Sequence, residues 1–236
     1  MKHQIISPAQ CLTLLAFIDR NQFDQQFIPE KNQYVFYEGQ EAVLKLRLPI
    51  SFDMDKEGQL ISEADINYVL LMIRSGIASL GYFENGENLD HKVFRAYMVR
   101  KKQGKSQIKY LKTKGKSRAG SRVRLAETLE FFEEINTRMQ DYFSVHRIDR
   151  IGISSATTLI PYLFGSKVPT PFEKNDPRIF KIPKHVQNPT YESLLETNSF
   201  LLKGELRSSD AGESIFNQFM EQISNSPGPD VENDDW

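Results

Sequence analysis

The 236-residue chain is predicted to be an α/β protein, with a mixed sheet covered by helices behind a small N-terminal appendage. Three observations carry this. Three closely spaced apolar strand patterns, joined by turn residues, occupy 66–100. Helical and strand patterns then alternate from 125 to 202, the mark of an α/β layer structure. Between them lies a cationic stretch with no apolar period of its own. An apolar fraction of 39% and a charged fraction of 26% are ordinary for a chain with a real core.

In order, the first sixty residues read as the appendage: a helix from Ala9 to Arg20, then strands over Tyr34–Tyr37 and Ala42–Leu48. Pro49 and Asp53–Gly58 follow as a linker or turn. The apolar run Leu12–Ile18 ends in Asp19-Arg20 rather than a small-residue cleavage site, so it is one face of a helix and not a leader. Asn67–Arg74 is a strongly apolar strand, Gly76 a tight turn and Ile77–Phe83 a second strand. Asn85-Gly86 is the dipeptide of a hairpin turn, and His91–Arg100 is a third strand.

A loop then runs from Lys101 to about Gly120. The clearest helix follows, with Leu125, Leu129, Phe132, Ile135, Met139 and Tyr142 on one face and Glu127, Glu130, Glu134 and Asp141 on the other. Arg147–Ser154 reads as a buried strand, Thr157–Phe164 as a short helix ended by Gly165, and Arg178–Ile182 as a last strand. Asn188 caps a helix that Pro189 opens and Gly204 stops. Beyond Arg207 the chain turns acidic, with Ile215, Phe216, Phe219, Met220 and Ile223 on one face of a short helix, and Ser224–Trp236 reads as disordered. Three domains follow: an appendage over 1–60, a central domain over 61–206, and an acidic tail over 207–236.

Charge is the strongest functional signal. From Lys92 to Arg124 there are thirteen Lys and Arg residues and no Asp or Glu, although the whole chain has 30 basic and 31 acidic residues. Such a block repels itself unless it is extended in water or faces a polyanion. Loops this long without a pattern tend to be functional or unstructured. Lys105, Lys109, Lys112, Lys114, Lys116, Arg118, Arg122 and Arg124 supply phosphate attraction without sequence preference. Gly104 lets a backbone approach a ligand, and Tyr110 offers a ring for base stacking. The block contains no strong amphipathic helix to insert into an anionic membrane, which favours RNA over lipid.

Other chemistries find no support. Cys11 is the single cysteine, so neither an internal disulfide nor a thiolate cluster is expected, in keeping with a reducing cytoplasm. His3, His91, His146 and His185 are scattered without metal-ligand spacing. Nucleotide phosphate loops and the GxSxG elbow are missing from the sequence. The central strand Tyr68–Ile73 carries no carboxylate for two-metal nuclease chemistry. Cofactors are expected to be none, and no apolar run approaches the ~20 residues needed to span a bilayer.

At Gln103-Gly104-Lys105-Ser106-Gln107 the sequence resembles the VLRF family, release-factor-like peptidyl-tRNA hydrolases of ribosome quality control. A strand ending in Arg100-Lys101 precedes this loop. The basic stretch Lys114-Gly115-Lys116-Ser117-Arg118-Ala119-Gly120-Ser121 and the long helix after it extend the likeness, which covers about Ile66–Leu206. The element order is also similar to the central domain of eukaryotic class-1 release factors, with their Gly-Gly-Gln loop in the corresponding place.

The resemblance implies a ribonuclease-H-like fold whose loop reaches the peptidyl-transferase centre. There it would act on peptidyl-tRNA held by a stalled large ribosomal subunit, with tRNA and rRNA as partners and the cytoplasm as location. Gln107 falls on the family's essential glutamine, Gly104 and Ser106 on its Gly and Ser, and Gln103 on the glutamine that opens the loop. Tyr97 and Arg100 fall on family positions in the preceding strand. Gln107, Ser106, Gly104 and Arg100 are thus the implied catalytic set, with Gln103, Tyr97 and the loop cations holding RNA. The chain departs from the eukaryotic pattern at Lys105, where those members have a second glycine, and it lacks their zinc finger and ankyrin array. Ester hydrolysis and cleavage near the tRNA CCA end both remain open. So does the alternative of a non-catalytic rRNA- or tRNA-binding factor.

Overall fold

The computed structural model describes residues 2–21, 23–54, 60–63, 65–96 and 116–225, with the side chains of 53, 60–63, 116–126 and 222–225 excepted. The chain forms two compact units, Met1–Ala64 with Phe200–Trp236, and Asp65–Ser199.

The first unit is built from both ends of the chain. Its strands are β1 (Lys2–Ile6), β2 (Asp24–Ile28), β3 (Gln33–Glu38), β4 (Glu41–Arg47) and β12 (Gly204–Ser208), in the antiparallel order β1-β12-β4-β3-β2. Helices α1 (Pro8–Asn21) and α5 (Glu213–Asn225) belong to the same unit, as does a two-stranded ribbon of β5 (Phe52–Met54) and β6 (Leu60–Glu63). Ser7 and Gln10 open α1 as a capping box: the Gln10 N–H donates to Ser7 Oγ (3.2 Å) and the Ser7 N–H to Gln10 Oε1 (2.8 Å). Leu14, Ile18, Phe36, Leu44, Leu46, Leu206 and Phe219 form the core.

This corrects the sequence reading in three ways. The segment beyond Arg207 is not a separate tail, because α5 buries Phe216 and Phe219 in the core it shares with α1. The appendage does not stand alone, because β12 lies between β1 and β4. The stretch after Pro49 holds a strand rather than only a linker. Residues 226–236, expected to be disordered, lie outside the described residues.

The second unit holds β7 (Asn67–Arg74), β8 (Ile77–Glu84), β9 (Glu87–Arg95), β10 (Arg150–Ser155) and β11 (Ile179–Lys181), ordered β11-β10-β7-β8-β9. The first three make an antiparallel meander, and β10 and β11 run parallel to β7. This is the expected mixed sheet with flanking helices; among the described residues the appendage strands pair with one another and with β12 in a second five-stranded sheet.

Tyr68–Ile73 are all buried because β7 is central and covered on both faces, which explains an apolar run without alternation. At Asn85-Gly86 both residues have positive φ (49° and 88°), as a type I′ turn requires. One face of the sheet packs Val69, Leu71, Ile73, Leu80 and Tyr82 against Phe131, Phe132, Ile135, Met139 and Tyr142 of α2 (Lys116–Val145). Helix α3 (Ile160–Phe164) adds Leu163 to that core. The opposite face meets α4 (Tyr191–Leu201): Tyr68 hydrogen-bonds Asn198, and Leu194 packs over Gly81. Thr190, not Asn188, caps α4, accepting the Ser193 N–H at Oγ1 (3.2 Å) while its own N–H donates to Ser193 Oγ (2.9 Å).

Candidate functional site

The basic segment is framed by β9 and α2. The Ala96 N–H donates to the Gly76 carbonyl (2.9 Å), so the chain leaves the sheet beside the β7–β8 turn. Gly76 has φ 82°, the left-handed conformation that glycine adopts without steric cost. A 30-residue helix such as α2 is about 45 Å long, whereas the eight residues of β7 span about 26 Å, so α2 extends past the sheet. Its C-terminal turn is fixed at the start of β7 and the end of β8, where His146 stacks on Tyr82 at 4.0 Å. The overhang is therefore at its N-terminal end, on the side where residue 96 departs.

Both flanks are held firmly. Arg138 of α2 pairs with Asp90 of β9, tying together the elements on either side of the segment. Burial disfavours the Arg138 charge, but Tyr142, Asp90 and Asp141 outweigh it and raise its pKa. Burial also pushes the Tyr142 phenol up to about 12, so it stays neutral at physiological pH. Asn136, fully buried on α2, donates from Nδ2 to the carbonyls of Leu163 (2.9 Å) and Val168 (2.8 Å). Gln140 adds a bond to the Pro169 carbonyl (2.7 Å). The Asn136 amide is fully buried, so its two bonds are costly to lose and clamp α2.

Of the site residues expected from sequence, Tyr97, Arg100, Gln103, Gly104, Lys105, Ser106, Gln107, Lys109, Lys112 and Lys114 lie outside the described residues. Lys116, Arg118, Arg122 and Arg124 fall in the first turns of α2, whose backbone alone is described there. The loop expected to run to Gly120 thus gives way to helix at Lys116. The third strand, expected over His91–Arg100, covers Glu87–Arg95.

The sequence reading passed over Asp90, Arg138, Asn136 and Arg74. Asp90 carried the one available hint, an acid on the strand that opens the basic block. Among the described residues, no three His, Cys, Asp or Glu side chains group to hold a metal ion, and no helix is long and apolar enough to cross a membrane. Cys11 is buried, and burial pushes its thiol up to about 12, against an opposing pull from Arg47.

A five-stranded sheet of this order, with a cationic segment between its meander and a long clamped helix, defines a release-factor-like α/β protein. Residues 68–209 match the family described as Bacteroidetes VLRF1 release factor, and the chain belongs to that family. Membership carries a release-factor-like role in ribosome quality control, and with it association with the ribosome. No curated protein matches the chain. Among solved structures it is similar to the Vms1 mitochondrial localization core, at 15% identity over 88% of this chain and 91% of that one, with a TM-score of 0.45. Likeness at that level carries no functional information.

Proposed function

We propose that the protein frees nascent chains from peptidyl-tRNA on stalled large ribosomal subunits, using Gln107 as the positioning group of its basic loop. The observation that carries this reading is family membership over a span that contains the Gln103–Gln107 motif.

The chemistry sets limits on that glutamine. Its amide is neutral and is no strong base, but it can orient a nucleophile and donate to developing negative charge. Two balanced routes use such a group. In the first, water adds to the ester carbonyl, the acyl–oxygen bond breaks, and the proton passes to the departing tRNA 3′-oxygen. In the second, a ribose 2′-OH near the CCA end attacks its neighbouring phosphate. A cyclic phosphate forms, the 5′-oxygen leaves with the proton, and the peptide stays on a short tRNA fragment. Arg100 and the nearby lysines would suit the phosphate charge of the second route.

Incubating the protein with peptidyl-tRNA on large subunits and sequencing the 3′ end of the released RNA separates the routes. An intact CCA end identifies ester hydrolysis, and a shortened end identifies cleavage. Gln107→Ala should lower release by about 10²–10³, the usual cost of one positioned hydrogen bond, with ribosome affinity within a few-fold of wild type. Release at the wild-type rate would take Gln107 out of the mechanism, and no release by the wild-type protein would replace this reading with the non-enzymatic one.

A further inference from the structure

Arg74 and Arg95 stand in one row of the second unit's sheet. Arg74 is directly opposite Ile77 on β8, and Ile77 is directly opposite Arg95 on β9. Directly opposed residues share a sheet face, so both arginines project to the same side, about 10 Å apart across two strand spacings. It is the face that carries α4, because Met72, two residues before Arg74, contacts Thr197 of that helix (3.6 Å).

Arg95 is exposed and Arg74 half-buried. Among the described residues neither has a carboxylate within ion-pair distance. By contrast Arg138, Arg147 and Arg178 hold Asp90, Asp149 and Asp176. Arg74 makes one described bond, from Nη1 to the Ile73 carbonyl (3.1 Å), which leaves most of its five donors to other partners. Two guanidinium groups on one face, without acids to neutralise them, fit phosphate oxygens, which they can bind in a planar, two-pronged manner.

The row also has a defined place. The Ala96 N–H bonds to Gly76, so the basic segment departs from the end of this row. If the loop acts at the CCA end, the polyanion covalently continuous with its target is the tRNA acceptor arm. We propose that Arg74 and Arg95 bind the phosphodiester backbone of that arm, holding the tRNA by its stem while the loop engages its end. The inference rests on the peptidyl-tRNA reading above.

The test uses the full chain and deacylated tRNA, so it needs no catalysis. Titration of Arg74→Gln/Arg95→Gln across a salt series should show weaker tRNA binding. The slope of log affinity against log salt should be shallower by about 2, one for each lost phosphate contact. Arg74→Lys/Arg95→Lys, which keeps the charges, should retain the slope and lose only a few-fold in affinity.

Wild-type affinity and slope in the glutamine variant, with native circular dichroism, would overturn the proposal. So would unchanged tRNA binding with weakened large-subunit co-sedimentation, since the row would then hold rRNA. Should the glutamine variant not fold, a lysine variant that loses slope along with affinity would equally overturn it. Failure of the peptidyl-tRNA reading is registered separately, by the wild-type protein releasing no nascent chain from peptidyl-tRNA on large subunits.

Discussion

Arg47 on β4 and Glu205 on β12 face one another in register and form a buried ion pair, Nε to Oε2 3.5 Å, each side chain only 6% exposed. The Arg47 guanidinium also donates to the carbonyls of Leu48 (3.0 Å), Phe200 (3.0 Å) and Lys203 (2.9 Å), and lies over the Phe200 ring at 4.3 Å. Glu205 in turn accepts from Arg207 and bonds His3 (2.9 Å). Charge, carbonyls and ring together satisfy a cation that burial disfavours, as the lowered Arg47 pKa records.

Removing one member of this pair leaves the other charge buried and alone. Glu205→Leu should therefore cost about 3–5 kcal/mol, read from urea unfolding followed by circular dichroism. Arg47→Met/Glu205→Leu should cost clearly less than the sum of its single substitutions. Additive costs would show that the two residues act independently.

Acid should unfold the protein partly through Glu205 and Asp176. Burial raises the Glu205 pKa, but Arg207, His3 and Arg47 outweigh it and bring it below the usual glutamate range. Hydrogen bonds from Arg178 depress Asp176. A carboxylate depressed by folding contributes stability above its unfolded pKa, about 4, and loses it as pH falls through the folded value. The melting temperature should thus fall below about pH 4 from these two groups. Asp176→Asn should be less stable at pH 7 and show a shallower acid decline. An unchanged decline would remove Asp176 from the account.

The thirteen-cation block predicts binding dominated by counterion release. Reversing Lys109, Lys112, Lys114 and Lys116 to Glu should abolish co-sedimentation with large ribosomal subunits. The wild-type interaction should weaken steeply between low and physiological salt. Ribosome association that survives the four reversals, in a protein with native circular dichroism, would place the contact elsewhere.

The sequence by itself determined the second unit, because its signals are local. An apolar run over Tyr68–Ile73 can only be a buried strand when β-branched and aromatic residues end at turn residues. Asn85-Gly86 fixes a hairpin, and the spacing of Phe132, Ile135, Met139 and Tyr142 fixes one helix face. The charge block and the Gln103–Gln107 motif were legible for the same reason, since each lies within a few dozen residues.

The helix, the two strands and the C-terminal apolar helix face of the first unit were legible locally, but only the tertiary structure decided how they join. Gly204–Ser208 has one residue, Leu206, in that unit's hydrophobic core, and its partners Lys2–Ile6 and Leu44–Arg47 lie some 160–200 positions away. No local period records such a pairing. The clamp on α2 escaped the sequence in the same way. Asn136 reads as an ordinary helical polar residue until folding brings the carbonyls of Leu163 and Val168 to its amide. Arg74 and Arg95 share a row only because β8 sets them in register, which is a property of strand pairing and not of either residue's neighbours in the chain.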